Sequence, residues 1–77
     1  MRIDSFMNLI KSGFDVSFNY KDDFYTISLI DEMKYGIGSD NGFKADFDSF
    51  ESIPNFILNG KRIKDIVANL DDEEVFY

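Results

Sequence analysis

The sequence predicts an α+β domain: a short N-terminal helix, an antiparallel meander of three to four strands, and two C-terminal helices packed on one sheet face. Two observations support this fold class. Apolar and polar residues alternate through the first half, and an i, i+3, i+4, i+7 apolar stripe lies near the end. The chain has 77 residues, which suits one domain. We therefore predict a single α+β domain over residues 1–70 and an acidic C-terminal tail over 71–77.

The N-terminal segment predicts a helix over residues 4–12. Asp4 is a suitable N-cap, and an apolar stripe follows it before Gly13, the residue type that commonly ends a helix. The period then changes to two. Apolar and polar residues alternate strictly from Phe14 to Tyr20, which predicts a half-buried strand.

Two more strands complete the predicted meander. A strand over residues 24–30 would place Tyr25, Ile27 and Leu29 on one face, and a third strand would run over 34–38. The segments between the strands are short and rich in charged residues, as is typical of turns. We therefore expect neighbouring strands to pair as hairpins.

The second half predicts an extended segment and two helices. Residues 43–47 alternate again, which indicates a short fourth strand or an extended segment. Asp48 and Glu51 have the spacing of a capping box and predict a short helix that Pro54 limits. The last helix should end near Leu70, because the four carboxylates that follow oppose the helix dipole.

The inward residues of these elements form the predicted core. Its members are Phe6, Met7, Ile10, Val16, Phe18, Ile27, Leu29, Ile37, Phe47, Phe50, Ile63, Ile66, Val67 and Leu70. The outward sheet face should present Ser17, Asn19, Thr26, Ser28, Gly36 and Gly38. Alternating glycines in a strand indicate either a local bulge or a face that another chain approaches closely.

The composition excludes several classes of function. The chain has no Cys and no His, so disulfides, Cys or His zinc sites, and thiol or imidazole catalysis lack their atoms. Its 15 acidic and 8 basic residues give a net charge of −7, which opposes direct binding to nucleic acid. We predict a cytoplasmic protein that is not an enzyme, needs no cofactor or metal, and spans no membrane.

The acidic residues concentrate in the sheet turns. Residues 22–48 contain seven acidic and two basic residues, a net charge of −5. Carboxylates two residues apart on a strand lie about 6.6 Å apart, close to every second phosphate of a DNA strand at about 3.4 Å. The predicted partner-binding residues are Asp22, Asp23, Asp31, Glu32, Asp46 and Asp48. Solubility of an aromatic-rich domain explains the same charges without any partner.

The tail combines four acidic residues with Val75, Phe76 and Tyr77. Three interpretations remain open: a frayed end, an added edge strand, or a partner-binding motif. We expect the tail acids to contribute less to binding than the turn acids, because a mobile segment must first be ordered.

The order of the segments GFDVSFNY, FYTISLI and NGKRIKDIVANL resembles that of small uncharacterised phage and mobile-element proteins of Gram-positive bacteria. The layout is also similar to that of acidic αβββα anti-CRISPR inhibitors of type II systems, which cover a nuclease surface that would otherwise bind DNA. This resemblance implies an accessory protein that binds a host protein with a basic surface, as a nucleic-acid mimic and inhibitor. It carries over no site residue. The alternative is a structural or assembly module that dimerises.

Overall fold

An N-terminal helix and a five-stranded antiparallel sheet dominate the fold, which confirms the α+β prediction. The computed structural model describes all residues, 1–77. In chain order the elements are α1 (Ile3–Lys11), β1 (Val16–Tyr20), β2 (Asp23–Asp31), β3 (Lys34–Ser39), β4 (Lys44–Asp46), a 3₁₀ helix (Phe50–Asn55), β5 (Ile57–Leu58), β6 (Lys61–Arg62), α2 (Ile63–Ala68), a second 3₁₀ helix (Asp72–Glu74) and β7 (Val75–Phe76). Neither α1 nor α2 has the length and apolarity needed to cross a membrane.

The sheet has the strand order β4-β3-β2-β1-β7, so the predicted meander is present and gains one strand. The fifth strand comes from the acidic tail, where Val75 pairs with Phe18 of β1 and is buried. Of the three interpretations of the tail, the structure therefore has the added edge strand. The aromatic rings of Phe76 and Tyr77 pack against those of Phe24 and Phe14, at 5.9 and 5.5 Å between centroids.

The segment between β4 and α2 differs from the prediction of two adjacent helices. Its first part is a 3₁₀ helix, because Pro54 has no N–H to continue an α-helical ladder. A hairpin, β5–β6, then precedes α2. Asn59 and Gly60 form its turn, and both have positive φ, as an Asn-Gly hairpin turn requires.

The predicted capping box of Asp48 and Glu51 is wrong, because the cap lies one residue later. The side chain of Ser49 accepts a hydrogen bond from the Ser52 N–H, and Ser52 Oγ accepts one from the Ser49 N–H, both at 3.1 Å. The carboxylate of Asp48 is consequently free of any capping role.

One hydrophobic core is formed by side chains from one face of the sheet and from α1, α2 and the first 3₁₀ helix. Its buried members are Phe6, Ile10, Val16, Phe18, Tyr25, Ile27, Ile37, Phe47, Ile53, Leu58, Ile63, Ile66, Val67 and Val75. Met7, Phe50 and Leu70 were predicted to be core and are only partly buried. Leu29 was also predicted to be core, but half of its side chain is exposed. The reason is that β1 begins at Val16, which pairs with Ile27, so no residue of β1 lies beside Leu29.

No helix covers the opposite face of the sheet. The register places Ser17, Thr26 and Gly38 in one cross-strand row there, as predicted, and the hydroxyls of Ser17 and Thr26 are hydrogen bonded at 2.7 Å. Both glycines of β3 stay in register, so they do not mark a bulge. Gly36 instead makes room for Ile30, whose Cδ1 would collide with a Cβ at this position.

Candidate functional site

The six predicted partner-binding acids lie at opposite ends of the sheet. Asp22 and Asp23 lie at the β1–β2 turn, whereas Asp31, Glu32, Asp46 and Asp48 lie toward the β2–β3 turn. The nine-residue strand β2 separates the two groups, and it spans about 26 Å at 3.3 Å per residue. The structure therefore brings together four of the six acids and leaves two apart.

At the β1–β2 turn, Asp23 holds two turns together. Its Oδ1 accepts hydrogen bonds from the N–H groups of Phe24 at 2.9 Å and Asn41 at 3.3 Å. A hydrogen bond from the Ser39 side chain is the main cause that lowers the pKa of the Asp23 carboxyl, and desolvation opposes part of this shift. The carboxylate of Asp23 is thus occupied by contacts within the fold.

At the other end of the sheet, the four acids differ in how far they are occupied. Asp46 forms an ion pair with Lys34 at 3.1 Å, and Asp31 Oδ1 accepts a hydrogen bond from the Glu32 N–H at 2.8 Å. The side chains of Glu32 and Asp48 are exposed and form neither an ion pair nor a hydrogen bond. These two carboxylates are free to contact a partner.

Three apolar side chains are exposed beside these acids. Leu29, Ile30 and Met33 are 50%, 58% and 91% exposed. They belong to residues 29–34, which we call the hairpin end and which extend past the end of β1. Neighbouring apolar side chains that remain in water favour contact with another molecule, because their burial on binding is stabilising.

Met33 has a backbone conformation that does not suit its residue type. Its φ is 61°, in the left-handed region that costs a residue with a Cβ about 1–2 kcal/mol. The β5–β6 turn meets the same requirement with Asn59 and Gly60. Because the Met33 side chain is almost fully exposed, core packing does not offset this cost.

A groove connects the hairpin end to the first 3₁₀ helix. It has a volume of about 450 Å³, and its lining includes Met33, Asp48 and Glu51. The rings of Tyr35 and Phe50, 5.3 Å apart between centroids, also line it. We call the hairpin end and this groove together the hairpin-end surface.

A larger depression of about 640 Å³ lies between the N-terminus and α2. Its lining mixes Arg2 and Lys64 with Asp4, Asp65 and Asp72, and Asp65 is paired with Arg62 at 3.0 Å. This depression lacks both a dominant charge and an exposed apolar cluster. Its size alone therefore does not make it the better candidate.

The hairpin-end surface combines exposed apolar side chains with acidic side chains. No group of three or more acidic side chains is placed to hold a metal ion anywhere in the structure. Exposed apolar side chains beside acidic ones are typical of a protein-binding surface, and Lys11 and Lys34 lie on the same surface.

The sequence pattern does not predict the apolar part of this surface. Leu29 was assigned to the core, and Ile30 and Met33 received no role. Two signals were present: Leu29 and Ile30 are adjacent apolar residues that break the alternation of β2, and Met33 occupies a turn position where Gly, Asn or Asp is usual.

Comparisons with known proteins identify no relative: no family model, no curated protein and no solved structure matches the chain. Function is therefore inferred from the geometry and charge of the hairpin-end surface.

Proposed function

We propose that the protein is a non-enzymatic accessory protein of a phage or mobile element that binds a basic surface of a host protein in the host cytoplasm. In its sharper form, it inhibits a DNA-binding host protein by occupying the surface that DNA would contact. The observation that supports this proposal is the exposure of Leu29, Ile30 and Met33 beside the free carboxylates of Glu32 and Asp48.

The apolar side chains favour a protein as the partner. An exposed apolar cluster with a polar rim is typical of protein-binding surfaces, and Met is enriched at such surfaces because its side chain adapts to the shape of a partner. The acidic rim favours a partner with Lys and Arg around an apolar depression. Complementary charge of this kind raises the association rate and fixes the orientation of the complex.

The net charge of −7 supports competition with DNA rather than binding to it. Carboxylates at the hairpin-end surface would pair with cationic side chains that otherwise contact phosphates. Contacts from Leu29, Ile30 and Met33 would add apolar burial, which a DNA backbone does not offer. The affinity of an inhibitor with both kinds of contact would fall less with rising salt than the affinity of DNA does.

A second candidate function is assembly through the bare face of the sheet. The row of Ser17, Thr26 and Gly38 has small side chains, and the paired rings of Phe24 and Phe76 lie on the same face. A second copy would bury this face but would bring two chains of charge −7 together. Sedimentation equilibrium at low and high salt tests this assembly function. A dimer that becomes more populated as salt rises would support it.

The inhibitor proposal is tested first on a panel of guide-loaded type II CRISPR nucleases from Gram-positive bacteria. We expect the protein to prevent at least one nuclease from binding a fluorescent target duplex in an electrophoretic assay. Glu32→Gln/Asp48→Asn should weaken this inhibition at least tenfold. The matched variant Asp22→Asn/Asp40→Asn removes two charges at the opposite end and should inhibit normally. Undisturbed DNA binding by every nuclease would contradict the inhibitor role.

A further inference from the structure

We propose that the partner contributes an extended segment that adds a β-strand to the free edge of β2 at the hairpin end. This inference rests on the proposed function, since it specifies how the basic partner binds the hairpin-end surface. The segment would carry both cationic and apolar side chains. Strand addition of this kind gains affinity from main-chain hydrogen bonds and specificity from the alternating side chains.

The free edge arises because β2 is longer than its neighbour. The pairing of β1 with β2 ends at Val16 opposite Ile27, whereas β2 continues to Asp31. Beyond Ile27, β2 has β3 on one side and no strand on the other. Because β1 begins at Val16, this side of β2 has no paired strand beyond Ile27, and an added strand would lie beside the α1–β1 connection.

Leu29 directs its backbone polar groups toward this unpaired side of β2. Successive residues of an antiparallel strand direct their N–H and C=O groups to opposite neighbours. Phe24 bonds toward the β3 side, since its carbonyl accepts from the Asp40 N–H at 3.1 Å. Leu29, five residues on, therefore faces away from β3. Its pairing partner Tyr35 agrees, because the Tyr35 carbonyl accepts from Phe47 on the β4 side at 2.9 Å.

The side chains beside this edge are also available. The register of β2 with β3 is irregular between Leu29 and Asp31, and the additional residue there is Ile30. Leu29 and Ile30 lie on opposite faces of the strand, and both are at least half exposed. An added strand would contact an apolar side chain on each face.

Charge decides between a partner and a second copy of the chain. Asp31 and Glu32 lie next to the free edge, and the whole chain carries −7. Two copies paired through this edge would place these acids together, which is unfavourable. A segment with Lys or Arg would gain from the same acids. The outer edge of the sheet at β4 lacks this selectivity, because Asp46 is already paired with Lys34 and Lys44 lies beside it.

A phage-displayed library of random nine-residue peptides provides the probe. Peptides selected on the wild-type chain should alternate apolar residues with Lys or Arg. Their affinity for two variants is then compared. Leu29→Pro removes the N–H offered to the added strand, whereas Leu29→Ala keeps it and shortens the side chain. Proline is tolerated where the N–H faces a free edge, and thermal melting checks that the variant folds.

Strand addition predicts at least a tenfold loss of peptide affinity in Leu29→Pro and a smaller loss in Leu29→Ala. Amide exchange measured by NMR on the wild-type chain supplies a test that does not depend on either variant folding. The Leu29 N–H should exchange at least tenfold more slowly when the peptide is bound.

Three results would overturn the inference: no enriched peptide, equal affinities of the two variants with unchanged Leu29 exchange, or self-association of the chain through this edge. The first two leave the proposed function standing if the nuclease assay still responds to Glu32→Gln/Asp48→Asn. Loss of that response, with peptide binding retained, would refute the proposed partner class and keep the strand site.

Discussion

At the scale of single residues, Met33 combines an exposed apolar side chain with a φ of 61°. Met33→Gly removes the left-handed strain and should raise the free energy of unfolding by about 0.5–1 kcal/mol. For a chain of this size, the melting temperature should rise by about 3–6 °C. The same substitution removes an apolar contact from the hairpin-end surface, so we expect it to weaken partner binding at least tenfold.

Lys21→Gly is the matched control for this prediction. Lys21 also has a positive φ, 48°, but it lies in the turn at the opposite end of the sheet. We expect Lys21→Gly to stabilise the fold less, because it also removes the hydrogen bond that Lys21 Nζ donates to the Asn59 carbonyl at 3.3 Å, and to leave partner binding unchanged. Equal binding by wild type and Met33→Gly would remove Met33 from the binding surface.

The lowered pKa of Asp23 predicts that the stability of the fold decreases at acidic pH. Its carboxyl has a lowered pKa in the folded state, mainly because of the hydrogen bond from Ser39. The ionised form is therefore favoured by folding. The ionised Asp23 carboxylate therefore contributes to the free energy of unfolding. Its contribution is fully present above the pKa of an unfolded Asp, about 3.9, and is lost as the pH falls through the lower pKa of the folded state.

Melting temperatures measured between about pH 2 and pH 7 test this assignment. Asp23→Asn should lower the melting temperature at neutral pH and flatten its decline below about pH 4. Asp22→Asn removes a neighbouring charge in the same turn and should preserve the decline. If both variants decline as the wild type does, Asp23 does not carry the pH dependence.

At the scale of secondary structure elements, β7 is an integral part of the sheet. Val75 is buried beside Phe18, so Val75→Ala should lower the free energy of unfolding by about 2 kcal/mol. The melting temperature should fall by about 10 °C. Ile57→Ala is the matched control, because Ile57 also lies in a two-residue strand but is 58% exposed. A change in Val75→Ala no larger than that in the control would mean that β7 is not held by the core.

This role of β7 also changes how the tail acids are tested. Truncation after Leu70 would remove Val75 from the core, and a loss of binding would then reflect damage to the sheet. Point substitutions of Asp72 and Glu73 remove charge without removing the strand.

The strands of the meander could be predicted because each contains several alternations of apolar and polar residues. The strand from Val16 to Tyr20 is one example. The shortest elements could not be predicted, since the two residues of β5, β6 or β7 are too few to show any period. Val75 becomes a strand residue only because β1 offers it a free edge. That partner lies far away in the sequence.

The candidate site was predicted in part for a related reason. The acids Asp31, Glu32 and Asp48 were identifiable from the charge pattern. Leu29 was not, because its alternation with Ile27 is that of a core residue. Its exposure depends on where β1 begins, which is a relation between two strands rather than a property of either.

At the scale of the whole molecule, the hairpin end is one of the places where exposed apolar side chains lie beside acidic residues. Partner binding through this surface should weaken as salt rises, because exposed charges are screened. The apolar contacts should leave measurable affinity at 0.5 M salt, at which the Debye length is roughly 4 Å. Titration calorimetry over a salt series checks this prediction. Glu32→Gln/Asp48→Asn should flatten the dependence of affinity on salt, whereas unchanged slopes would place the ionic contacts elsewhere.

Site-specific photo-crosslinking tests whether the hairpin end is the surface that contacts the partner. A photoreactive amino acid is placed at position 33 in one variant and at position 22, at the opposite end of β2, in another. Both are irradiated in Gram-positive cells that carry a type II CRISPR system. We expect one dominant crosslinked host protein from position 33, with a basic DNA-binding surface, and little or none from position 22. The same product from both positions, or a product from position 22 alone, would contradict this expectation.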